Sequence, residues 1–172
     1  MKLNIKEIAV FALLGALMYS TKIIMEVLPN VHLLGVFTVA TTAVYRKKAL
    51  YPIYVYVFIN GFFSGFAMWW IPYLYIWTVL WGAVMLLPKN IPAKVKPIVY
   101  MTVCALHGFL FGTLYAPAQA LLFGLDFKGM VAWIAAGLPW DFVHGVSNFI
   151  CGTLICPIIA VLKHSEKYIT RE

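Results

Sequence analysis

Apolar residues run through this chain in long stretches, broken at short places where Pro, Asn, Lys and Arg collect. Stretches near the ~20 residues that cross a bilayer predict membrane-spanning helices. Read from the breaks, the helices cover about residues 5–28, 32–45, 50–68, 71–87, 98–122 and 139–162. Pro29-Asn30 closes the first helix, Arg46-Lys47-Lys48 closes the second, and Trp69-Trp70 with Pro72 parts the third from the fourth. The second helix is short enough to be tilted or partly interfacial. Pro88 to Pro97 is the most polar linker, and Pro117 predicts a kink in the fifth helix. Lys128 to Ala136 predicts a short interfacial or re-entrant segment, and Pro139 suits the start of the sixth helix. The expected fold is an all-α integral membrane protein, with residues 1–172 forming one compact bundle of six transmembrane helices.

The polar positions inside these stretches carry the chemistry. Asp141, His144 and Asn148 follow Pro139 at spacings of three and four. At about 100° per residue, Asp141 and Asn148 point within roughly 20° of each other, with His144 about 60° away. Ionisable side chains in a bilayer face a bundle interior or an aqueous cavity, so this face is expected to be one wall of a solute site. The bland alternative is helix-dipole complementation by Asp141 and interhelical hydrogen bonding by His144 and Asn148. Lys22 and Glu26, four apart, form either an ion pair or a contact to a charged ligand group. Asn60 and His107 sit near mid-membrane as hydrogen-bonding residues. Tyr115 and Gln119 share a face at the depth of Trp140 and Asp141, while Asn30 and His32 belong to the first outer loop. Trp69, Trp70, Tyr73, Tyr75 and Trp77 cluster at one end, as an interfacial belt or as walls for a flat heterocycle.

Composition narrows the class. With 63% hydrophobic residues among 172 and a mean hydropathy of +0.90, no sizeable soluble domain fits. The formal net charge is nevertheless +7. The six-helix topology places Lys2, Lys6, Arg46, Lys47, Lys48, Lys89, Lys94, Lys96, Lys163, Lys167 and Arg171 on one side. The positive-inside rule then puts both termini in the cytoplasm, and the basic balance needs no nucleic-acid partner. The basic start of the chain resembles a signal peptide, but Lys22 and Glu26 interrupt the apolar run and no small-residue cleavage site follows. A retained first helix is expected. Cys104, Cys151 and Cys156 lie in apolar segments without metal-ligand spacing, and no cofactor or metal is called for. There is no P-loop and no His-Glu-x-x-His motif. Ser64 with His107 or His144 is an intramembrane serine dyad only on paper, since no supporting signature surrounds the nucleophile.

Small residues mark close packing. Ala9, Ala12 and Ala16 line one side of the first helix, and Gly61-x-x-x-Gly65 and Gly108-x-x-x-Gly112 occur in the third and fifth. The length, the six helices, Ala12-x-x-x-Ala16 and Pro139-Trp-Asp-Phe-Val-His-Gly-x-x-Asn148 together resemble the S-components of energy-coupling factor (ECF) transporters. The resemblance implies a non-catalytic subunit of the bacterial plasma membrane that captures a vitamin or related micronutrient at its outer face. Its implied partners are a membrane scaffold subunit, docked through Ala12 and Ala16, and two cytoplasmic ATPases. The solute residues expected on this basis are Glu26, Trp77, Tyr115, Gln119, Trp140, Asp141, His144 and Asn148. The histidine-bearing N-terminus of the nickel and cobalt members is missing from Met1-Lys-Leu, which argues against a metal substrate. Glu26 and Asp141 among aromatic residues suit a thiamine-, pyridoxine-, nucleobase- or indole-like compound. The alternatives are a membrane scaffold or assembly protein, or a small intramembrane enzyme.

Overall fold

Asn4 and Glu7 cap one another at the start of α1 (Ile5–Met25) in a computed structural model that describes residues 3–169. The Asn4 side chain accepts the Glu7 N–H at 2.8 Å, and the Glu7 carboxylate accepts the Asn4 N–H at 3.1 Å. Glu7, buried to 6% exposure, also takes an ion pair from Lys48, which ties the start of α1 to the turn after the second helix. Lys2 and Arg171, two of the basic residues counted above, lie outside the described residues.

The order continues with α2 (Leu34–Tyr45), a 3-10 turn (Arg46–Ala49), α3 (Leu50–Ser64), a second such turn (Met68–Trp70) and α4 (Tyr73–Leu86). Then come α5 (Lys96–Phe109), α6 (Phe111–Phe123), α7 (Phe127–Cys151), a third 3-10 turn (Gly152–Leu154) and α8 (Ile155–Ile169). No strand occurs among the described residues. The protein is all-helical, and four stretches in it are long and apolar enough to cross a membrane: Ile5–Met25, Met68–Leu86, Lys96–Phe123 and Phe127–Tyr168. These mark it as membrane-embedded. At 1.5 Å per residue the last stretch would reach about 63 Å if straight, twice a bilayer core of roughly 30 Å.

The second helix lies in the middle of the bundle. From Leu34 to Thr42 every residue of α2 is buried, and α4, α5 and α8 pack around it with α1. A helix apolar all round belongs in a core, and α2 has the composition for it. Two of its three threonine hydroxyls bond backwards into the helix, and the third, on Thr38, is buried without a protein partner. Thr41 donates to Phe37 O at 2.7 Å and Thr42 to Thr38 O at 2.6 Å. Glycines set the tightest crossings. A Cβ on Gly108 of α5 would stand 2.9 Å from the Gly145 backbone of α7, so α5 and α7 touch backbone to backbone there. Gly15 brings α1 equally close to Val55 and the Pro52 carbonyl of α3.

Two prolines lie inside helices. Pro117 lies inside α6, and the fifth predicted helix is interrupted at Leu110. The cause is Asp141, whose carboxylate claims the Gly112 N–H and so starts a new helix there. Pro139 also lies inside a helix. Asp126 accepts the Gly129 N–H at 2.7 Å and starts α7 there, so residues 128–136 and the stretch after Pro139 form one continuous helix. That helix gives way at Gly152 to a 3-10 turn, and α8 runs on through Lys163 to Ile169.

Candidate functional site

The final turns of α7 bury their polar residues and expose their apolar ones. Asp141, His144, Gly145, Ser147 and Asn148 are buried, while Phe142, Val143, Phe149 and Ile150 are exposed. That inversion is expected of a helix with lipid outside and polar contacts within. The three polar residues predicted as one wall then meet three different neighbours.

Asp141 forks both carboxylate oxygens onto the Gly112 N–H at 3.0 Å each, at the first turn of α6. It complements the dipole of α6 and not of its own helix. Gly112 is required by this contact, because a Cβ there would lie 2.4 Å from Asp141 Oδ2. Asn148 donates from Nδ2 to Cys104 O at 3.2 Å and packs against Gly35 and Gly108, which seats it where α2, α5 and α7 meet. Both residues join helices. His144 alone of the three faces open space.

That space is a cavity of about 200 Å³ at the C-terminal end of α1. Its lining includes Lys22 and Glu26 of α1, Asn30 and His32 of the following loop, Tyr73 of α4, Phe111 of α6 and His144 of α7. Asn30, left-handed at φ 58°, turns the loop inward, and its carbonyl accepts Ser147 Oγ from α7 at 2.9 Å. The His32 ring lies 4.7 Å from that of His144, edge to face, and Phe111 lies 4.9 Å from His144. Two buried polar atoms, His32 Nδ1 and His144 Nε2, have no protein partner. A buried polar group left unpaired costs about 1–3 kcal/mol, so the two histidines beside the cavity keep unmet hydrogen-bonding capacity. Burial pushes the His32 imidazole down to about 4, which keeps it neutral at pH 7. Lys22 Nζ lies 3.2 Å from Glu26 Oε1, with the Glu26 side chain 59% exposed, so the pair forms and also borders the cavity.

Behind this lining stands Trp77, 1% exposed. Its ring meets Tyr73 at 5.9 Å, Phe111 at 5.9 Å, His107 at 5.6 Å, Tyr56 at 6.1 Å and His32 at 6.1 Å. Trp77 therefore backs the cavity without lining it. Its Nε1, His107 Nδ1, the Tyr56 hydroxyl and the Asn60 amide are further buried polar atoms with no protein partner. His107 Nε2 is engaged with Ile76 O at 3.1 Å.

The other predicted residues lie elsewhere. Tyr115 donates to Trp69 O at 2.9 Å and stacks on Trp133 at 5.7 Å, locking α6 against α7 beyond the cavity. Gln119, half-buried, is a turn further along α6 and outside the lining. Trp140 is 58% exposed and faces away from the bundle. Of the expected set, Glu26 and His144 reach the cavity directly and Trp77 supports it. The expected set includes neither Phe111 nor His32, the latter read only as part of the first outer loop. Phe111 was hidden in an apolar run. His32 carried a signal in its pairing with Asn30 straight after a helix-ending Pro29. Ser64 is exposed, and among the described residues no three His, Cys, Asp or Glu side chains come together as a metal-ion set.

No family model matches the chain, and neither a curated protein nor a solved structure does.

Proposed function

We propose that this protein is the substrate-capturing S-component of an ECF-type importer, binding a small micronutrient in the cavity at the end of α1 and catalysing nothing itself. The observation that carries this reading is a small cavity walled by aromatic rings, with two unpartnered histidine nitrogens and an ion pair at its edge. Solute sites combine an apolar lining with a few convergent polar groups in this way. Glu7, bound to Lys48 among the basic turns, and Lys22 at the cavity are separated by about 22 Å of helix rise. The cavity thus sits at the end of α1 remote from the basic loops, which under the positive-inside rule is the outer end. In the topology we propose, six helical passes leave both termini cytoplasmic. The short α2 and α3 are tolerated because α2 touches protein and not lipid along its length. Energy would come from partner ATPases through a membrane scaffold docked on the Ala12–Ala16 face.

A second reading, a membrane scaffold whose polar residues only lock helices together, draws on Asp141 and Asn148, both engaged between helices. Mass spectrometry of small molecules released on denaturing the gently purified protein separates the two. A near-stoichiometric polar compound, lost in His144→Phe, is the expected result. Lipid and detergent alone, with no polar compound retained after incubation in cell extract, would turn the assignment to the scaffold.

A further inference from the structure

The charges along the cavity define its guest more narrowly than its shape does. Among the described lining residues, Lys22 and Glu26 are the charged ones, and their formal charges cancel. Asp141, the other carboxylate on this side of α7, is committed to the Gly112 N–H and does not line the cavity. A permanently cationic guest would need a surplus carboxylate, and an anion a surplus cation. Neither is present in the lining.

Lys22 and Glu26 are also placed differently from the Glu7–Lys48 ion pair. Glu7 and Lys48 tie two elements together and bury the carboxylate. Lys22 and Glu26 stand four apart on one helix, with Glu26 largely exposed, and hold no two elements together. Exposed pairs of this kind contribute little to stability, so a guest can part them at small cost. Charged groups at the end of a membrane helix and facing a cavity are recognition groups more than struts. Tyr73 and Phe111, edge to face with ring centroids 6.5 Å apart, line the cavity as well, together with His32 and His144. The cavity of about 200 Å³ has room for one ring system with a short polar tail.

Resting on the importer reading, we infer that the guest is an aromatic zwitterion of the α-amino-acid type. Its carboxylate meets Lys22, its ammonium group meets Glu26, and its ring packs against the edge-to-face pair of Tyr73 and Phe111. Such a guest is electroneutral overall and engages both members of the ion pair. This sets aside thiamine-like cations, and it demotes uncharged nucleobases, which leave the ion pair unused.

The test is equilibrium binding of radiolabelled L-tryptophan and L-phenylalanine to the full chain in detergent, in competition with tryptamine, indole-3-propionate and indole. One of the two amino acids is expected to bind, with each charge-deleted analogue weaker by about tenfold or more. Lys22→Met should erase the preference over tryptamine, and Glu26→Gln the preference over indole-3-propionate. This exchange of preferences is something a merely misfolded variant cannot produce. If uracil, pyridoxine or thiamine binds in a manner lost in His144→Phe while both amino acids fail, the zwitterion is overturned and the importer reading stands. If no probe binds and no polar compound is released on denaturation, the importer reading fails and the zwitterion with it.

Discussion

Asp141 and His144 are one turn apart on α7, yet they present different chemistry to the bundle. The Asp141 carboxylate is consumed at the first turn of α6, while His144 lines the cavity and its buried Nε2 has no protein partner. Asp141→Ala orphans the Gly112 N–H and should lower stability by about 1–3 kcal/mol, leaving ligand affinity of the folded fraction unchanged. His144→Phe should reverse that pattern, with a near-native melt and at least about tenfold weaker binding. Paired thermal melts and binding isotherms decide it; equal loss of affinity in both variants would return Asp141 to the site. His32 carries a pH signature. Its folded value near 4 lies below the ordinary 6.5, so the unfolded chain binds the proton first on acidification. Its contribution is complete above pH 6.5 and is lost as pH falls from there towards 4. Melting temperatures measured at pH 7 and pH 5 should therefore drop on acidification, and His32→Gln should shrink that drop.

Elements were legible where composition alone fixes them. The α1, α3 and α4 stretches declared themselves by apolar length and by Pro or Lys-Arg at their ends, and the inward polar face of α7 followed from spacing. What could not be read was where a helix breaks when the breaking group comes from another helix. Nothing near Leu110 announces an end to α5; the Gly112 N–H is taken by Asp141, 29 residues on. Pro117 and Pro139, the visible breakers, sit inside helices because their neighbours satisfy the rest of the backbone. The burial of α2 was equally hidden, since a short apolar helix looks the same from sequence whether lipid or protein surrounds it. α1 supplies the prediction at this scale. Ala12 is exposed and Ala16 half-buried, beside the outward-facing Leu13 and Leu17. Ala12→Trp should therefore leave folding and solute binding intact while impairing uptake in cells that carry the partner subunits. Normal uptake by that variant would remove α1 from the docking surface.

On the scale of the whole molecule, the cavity wall is assembled from parts that otherwise have little to do with one another. Lys22 and Glu26 ride on α1, which packs chiefly on α3, whereas Phe111 and His144 belong to the α5–α7 group. Between them runs the loop of Asn30 and His32, stapled to α7 by Ser147. A molecule seated in the cavity acts as a rivet through these layers, fastening α1 to the far side of the bundle. At a hundredfold excess over its dissociation constant it would add about 2.7 kcal/mol to the folded state, and that gain should be unevenly spread. Hydrogen–deuterium exchange should slow over residues 22–33 and change little in α2, whose amides are already shielded. Protein without its rivet would be looser at the cavity end than at its centre, so occupancy would register as stiffness in α1, with no large displacement of any helix.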